Sequence, residues 1–189
     1  MRRVDWESVW VTKGSSLDRE GLSFWDFSLA FYERPSVAQA CLELQDDHGQ
    51  DVNLVLFCFY VAGHGKTLQA AELEDLWQVI SPWQEHVVRP LRQVRRWMKR
   101  PEVLQCVDCA SLREAIKQQE LEAERLQQSF LQDAMEFDGK KSGFTDKEKA
   151  ACAAASLDVL FASVNPAPSD ERSKLADRLL QAYTDYLQS

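Results

Sequence analysis

Glycine and proline are scarce in this chain, 7 and 6 among 189 residues. Few positions therefore interrupt a helix, and no segment alternates apolar with polar residues well enough to read as a half-buried strand. Cysteine is also sparse. Five residues, an odd number without framework spacing, argue against a disulfide scaffold and for reduced thiols in a cytoplasm. No secretory leader is expected, because Arg2 and Arg3 are followed by Asp5 and Glu7 rather than by an apolar stretch. Positive charge is in the minority. The formal net charge of −8 makes the surface as a whole repel nucleic acid and anionic membrane. There is no Gly-x-Ser-x-Gly elbow, no His-Glu-x-x-His and no carboxylate–histidine pattern. An enzyme is not the favoured reading, although all-helical active sites often carry no local motif. Internal repeats and low-complexity tracts are absent too.

What is present is 45% hydrophobic and 28% charged, ordinary for a globular protein with one real core. The most apolar stretch runs from Asp51 to Gly65. Ten of the eleven residues from Val52 to Ala62 are apolar or aromatic, Asn53 being the exception. It is too short to span a bilayer, which needs about 20 such residues. A buried strand is the rival reading, since short apolar runs are ambiguous. The ends favour a helix: Asp51 can cap its start, and Gly63 and Gly65 supply its stop. A helix that is apolar all round is buried all round. The expected fold is all-α, a single-domain bundle of about seven helices around a buried central helix, Asp51–Ala62.

Around that post the pattern predicts a peripheral arm over residues 1–21, a core helical domain over 22–137 and a C-terminal helical extension over 138–189. Ser23 opens the first helix, with Asp26 at the capping-box position, and Arg34-Pro35 separates it from a second helix reaching Asp47. Thr67 starts a helix ending near Ile80. Ser81-Pro82 signals another, ending at Arg100 and kinked at Pro90. Ser111 and Glu114 form a capping box for a helix to about Phe137, which should fold back as an antiparallel hairpin. Thr145 and Glu148 form a third box, and Asn165-Pro166-Ala167-Pro168 is the clearest linker.

Two groups of residues are candidate sites. Arg89, Arg92, Arg95, Arg96, Lys99 and Arg100 put six positive charges into twelve residues, so the remaining 177 sum to −14. On a helical wheel they span an arc of about 140°, with Val87, Leu91, Val94, Trp97 and Met98 on the opposite arc. Such a face can bind an acidic protein surface, and less readily a nucleic acid or phosphorylated ligand. The competing reading is internal neutralisation by Glu114, Glu120, Glu122 and Glu124 on the returning helix. The second group is a polar pocket at the start of the post, built from Asp26, Gln45, Asp46, Asp51 and Asn53. There the competing reading is that Asp51 is an N-cap and Asn53 serves packing.

Two other patterns carry less. Cys106-Val107-Asp108-Cys109 is a lone pair where a zinc site needs four ligands, so neither a metal nor a cofactor is expected. Gly63-His64-Gly65-Lys66-Thr67 lacks the upstream glycine of a phosphate loop and follows a helix C-terminus, the wrong end for an anion.

Trp25-Asp26-Phe27-Ser28, Tyr32, Pro35-Ser36-Val37, Ala40 through Asp46, Gly49 and Asp51 through Phe57 together resemble the domain of unknown function 2390 family of conserved hypothetical proteobacterial proteins. Val88-Arg89-Pro90-Leu91-Arg92 and Arg95-Arg96 extend the likeness, which runs from Leu22 to Gln132. Ser36 stands where that family would have glycine. The resemblance implies a bacterial cytosolic protein and supplies no activity.

Overall fold

The computed structural model describes residues 21–106, 109–137, 143–164 and 169–189. Among them every regular element is helical: α1 Phe24–Tyr32, α2 Pro35–His48, α3 Val52–Gly63, α4 Ala70–Trp83, α5 Arg89–Trp97, α6 Pro101–Cys106, α7 Ala110–Asp133, α8 Asp146–Val164 and α9 Asp170–Gln188. A π-helical turn, Gln84–Val88, joins α4 to α5. The fold divides into two compact units, Met1–Ala70 with Phe137–Ser189, and Ala71–Glu136. The expected N-terminal arm, save Gly21, lies outside the described residues. So do residues 138–142 and the Asn165–Pro168 linker.

In the first unit α3 is the buried post. Its residues from Asn53 to Ala62 are all buried, and it packs against α1, α2 and α8. The helix starts at Val52 because the Asp51 carboxylate accepts the Leu54 N–H at 3.1 Å, satisfying a donor that the first turn leaves over. Immediately upstream, α2 ends on Gly49 in the left-handed region, φ 66°, and the Gln50 N–H bonds back to the Leu44 carbonyl at 3.0 Å. This tight reversal lets α2 run directly into the post. Aromatic rings hold α3 to its neighbours. Phe24 meets Phe57 at 5.0 Å, Phe31 meets Phe59 at 5.1 Å, and Phe59 meets Tyr183 of α9 at 5.1 Å. Such tilted and edge-on pairs add to the gain from burial itself. At the far end of α3 the loop turns through Gly65, φ 73°, against the ring of Phe144. The Leu68 N–H then reaches the Ser156 hydroxyl of α8 at 3.0 Å.

The expected caps at Ser23 and Thr145 are both made. The Asp26 N–H bonds Ser23 Oγ at 3.1 Å, and the Thr145 N–H and the Glu148 carboxylate close a reciprocal box at 2.7 Å. Two other start signals do not operate. Ser81-Pro82 lies inside α4, whose buried stripe of Leu73, Leu76 and Ile80 continues through Gln84 and Val88. Pro82 itself is exposed. Continuing that stripe outweighs a cap, which contributes only about 1 kcal/mol. The π turn then accommodates Pro90, which has no N–H to offer and whose ring would crowd the carbonyl four residues back. Across the widened turn the Arg89 N–H bonds the Gln84 carbonyl instead. Ser111 is likewise inside α7, which begins at Ala110, and Pro101 opens α6 rather than merely ending a helix.

In the second unit α5 and the π turn pack on α7. They run antiparallel, since Arg92 and Arg95 meet Glu124 and Glu120 while Trp83 meets Phe130.

The post makes a graded prediction for urea denaturation. Phe57→Ala should lower stability by about 3–5 kcal/mol, and Asp51→Ala by about 1 kcal/mol. Equal and small losses for both would show that α3 is not the centre of this unit.

Candidate functional site

α7 turns an unusual set of residues inward: Glu120, Ala123, Gln127, Gln128 and Leu131 are buried. A buried carboxylate must be matched by charge and hydrogen bonds, because desolvation alone costs several kcal/mol. Glu120 is matched twice over. Arg95 donates to both its oxygens, the Nη2 bond being 2.9 Å, and Arg92 Nε donates to Oε1 at 3.2 Å. Arg92 Nη2 reaches on to Glu124 at 2.6 Å. Arg95 is only 6% exposed. Its bonds to Glu120 raise its pKa against the opposing effect of burial. At Arg92, burial works to lower the pKa, and Glu124 and Glu120 together outweigh it. Both guanidiniums are thus fixed in the charged form inside the helix pair. Further along α7, Trp83 donates its indole N–H to the Ala123 carbonyl at 2.9 Å. Beyond that, α7 meets the π turn that carries the buried Gln84.

The six cations of the basic helix are therefore not one face. Arg92 and Arg95 belong to the interior of the unit. Arg89, Arg96, Lys99 and Arg100 are exposed. Of the expected neutralising carboxylates, Glu120 and Glu124 serve. Glu114 pairs with Lys117 at 3.4 Å and Glu122 with Arg125 at 2.6 Å, both within α7.

The arc opposite the charges is not uniformly covered: Val94 and Trp97 on it are 45% and 53% exposed. Pairing of Arg92 and Arg95 with Glu120 turns the helix so that Val88, Arg95 and Met98 face inward. One apolar edge is pushed out to solvent. The exposed face then reads Arg89, Gln93, Arg96, Trp97 and Arg100, residues at helical spacing. Past the end of α5, Trp97, Arg100, Pro101, Glu102 and Val103 line a shallow open depression. The Lys99 ammonium has its pKa lowered by burial and by the neighbouring cations Arg95, Arg113 and Arg96. Positive charge is concentrated there beyond what Glu120 offsets.

The candidates for a polar pocket are engaged locally. Asp26 accepts the Ser23 hydroxyl at 2.6 Å as part of the α1 cap. Gln45 and Asp46 sit near the end of α2 and bond each other at 3.2 Å. Asp51 is the α3 cap, and Asn53 is buried in the first turn. Sequence reading missed Gln50, between these helices. It is buried, and among the described residues neither of its amide atoms has a hydrogen-bond partner. A polar residue one position before a cap gave no sign of this. No group of three or more His, Cys, Asp or Glu that could hold a metal is found among the described residues. Cys109 is buried as a free thiol, and its sequence partner Cys106 has a side chain outside the described set. Burial pushes the Cys41 thiol up to about 12 and raises that of Cys58 further, so neither is a thiolate nucleophile near neutral pH. No described helix is long and apolar enough to cross a membrane.

One family model matches the chain, that described as "Protein of unknown function (DUF2390)", over residues 23–131. No curated protein and no solved structure matches.

Because Glu120 serves two buried guanidiniums, removing it alone should be costly. Glu120→Leu is expected to destabilise by about 3–5 kcal/mol, and Glu120→Leu with Arg95→Leu by clearly less than the sum of the single losses. Additive losses in urea titrations would mean that the pair is not coupled.

Proposed function

We propose that this chain, which belongs to the family of proteins of unknown function DUF2390, is a non-enzymatic interaction module of the bacterial cytoplasm. Its outward face on α5 would take a protein with an acidic surface. The observation that carries the reading is Trp97, half exposed between the outward-facing Arg96 and Arg100. Trp and Arg are the residues most enriched where binding energy concentrates at protein interfaces. A large indole held in water also costs free energy unless something covers it.

Charge supports a protein partner over nucleic acid. Outside Arg89–Arg100 the chain sums to −14, which repels a polyanion approaching on any other side. Lining the depression with Glu102 works against a polyanion as well. The inner arginines set the limit of the surface. Arg92 and Arg95 are committed to Glu120 and Glu124, so Arg89, Lys99 and Arg100 are the cations that a partner meets. Cytoplasmic working fits the free thiols at Cys41, Cys58, Cys109 and Cys152.

The test uses residues that the fold does not need. Arg89→Glu with Arg100→Glu should leave the helical circular dichroism and melting temperature nearly unchanged, as surface substitutions stay within about 0.5 kcal/mol. In affinity capture from native lysate with mass spectrometry, a protein retained by the wild-type chain should be lost with this variant. It should also be weakened at high salt. Recovery of the same proteins by both chains would contradict the reading.

A further inference from the structure

The helical run from α4 through the π turn into α5 is segregated by charge. From Ala70 to Val88 it carries Glu72, Glu74, Asp75 and Glu85 and no lysine or arginine. From Arg89 to Arg100 it carries six cations and no carboxylate. The backbone stays right-handed helical at Trp83 and Arg89, on either side of the π turn, so the run is one continuous rod. Its inner stripe is Leu73, Leu76, Ile80, Gln84, Val88 and Arg95, all buried. On the opposite side Asp75, Val79, Pro82, His86, Gln93 and Trp97 follow one another by whole helical turns, and all are exposed. Glu85 and Arg89 are exposed beside them, and Arg100 borders the depression next to Trp97. Val79 is 48% exposed and Trp97 53%, one in each half of the rod. Among the described residues none of Asp75, Glu85, Arg89 and Arg100 has an ion-pair partner within 4 Å.

We infer that this rod is a self-association surface, through which two copies of the chain pair antiparallel about a two-fold axis passing beside Val87 and Val88. The inference rests on the acidic-partner reading and names the partner: a second copy, whose α4 supplies the acidic surface. A two-fold interface sets one surface against itself in reverse. Reversal about that point places Asp75 opposite Arg100 of the second copy, Glu85 opposite its Arg89, and Val79 opposite its Trp97. Each of these contacts is made twice. Parallel alignment would set like charges face to face, a costly juxtaposition, so charge also fixes the direction. An unrelated acidic protein would meet Arg89 and Arg100 but leave Asp75, Glu85 and Val79 without a counterpart. The net charge of −8 on each copy opposes approach, but at physiological ionic strength such repulsion is screened beyond about 8 Å.

Sedimentation equilibrium on the full chain at physiological salt should show a monomer–dimer equilibrium. Arg89→Glu with Arg100→Glu makes both halves of the rod acidic and should weaken the dimer by about tenfold or more. Asp75→Arg with Glu85→Arg makes both halves basic and should weaken it as much. Mixing these two variants sets an acidic rod against a basic one and should restore a dimer holding one of each. All four substitutions in a single chain reverse the polarity of the rod and should restore the homodimer. The four side chains are exposed, and unchanged circular dichroism checks that the variants fold. A wild-type chain that stays monomeric at its highest soluble concentration would overturn this inference and leave the acidic-partner reading to the lysate capture. A dimer that either variant leaves intact would also overturn it, as would two monomeric variants that fail to associate when mixed.

Discussion

The second unit depends on one carboxylate. Glu120 lies buried on α7, and its two oxygens are shared between Arg95 and Arg92. Two guanidiniums and one carboxylate leave a surplus positive charge, which Glu124 takes up through Arg92. The network is weak evidence for stability, since apolar residues of similar volume often do as well in such places. Its effect lies in orientation. Planar, bidentate pairing is direction-specific in a way that apolar packing is not. It fixes how far α5 is turned about its own axis. What α5 shows to solvent follows from that turn: Trp97 and Val94 face out and Met98 faces in.

The first unit rests on a different kind of constraint. α3 has no polar face, so it can exist only where other helices cover every side of it. α1, α2 and α8 do so, with rings from α1, α3 and α9 meeting at close to 5 Å. Its single vulnerable point is the start, where backbone donors would be stranded in an apolar surrounding. Asp51 removes that cost for one of them. The carboxylate is thus structural, as is that of Asp26 in the α1 cap.

How much of this could be read from residues alone depends on which interaction decides. The post was legible because an unbroken apolar run leaves a helix no exposed side, and Asp51 and Gly63 bracket it. The caps at Ser23 and Thr145 were legible because the bonds they make are local. The same kind of signal misled at Ser81 and Ser111. A cap's small gain there competes with a longer buried stripe, and only the stripe's partners in space show which prevails. The roll of α5 was hidden for a related reason. A helical wheel assumes that apolar residues turn inward, whereas Glu120 and Glu124, four residues apart, matched Arg92 and Arg95, three apart. That spacing is present in the sequence, but Glu114 and Glu122 on the same helix offer equivalent charge, and nothing local separates them from the two that serve. Gln50 gave no signal, because its burial follows from the reversal at Gly49 rather than from its own neighbours.

The central claim is that pairing with Glu120 sets which side of α5 meets solvent. Hydroxyl-radical footprinting with mass spectrometry reads this directly, residue by residue. Trp97, at 53% exposure, should be heavily oxidised, and Met98, at 4%, should be protected despite its high intrinsic reactivity. In Glu120→Gln the contrast between these adjacent residues should shrink. A protected Trp97 beside an oxidised Met98 in the wild-type chain would contradict the account.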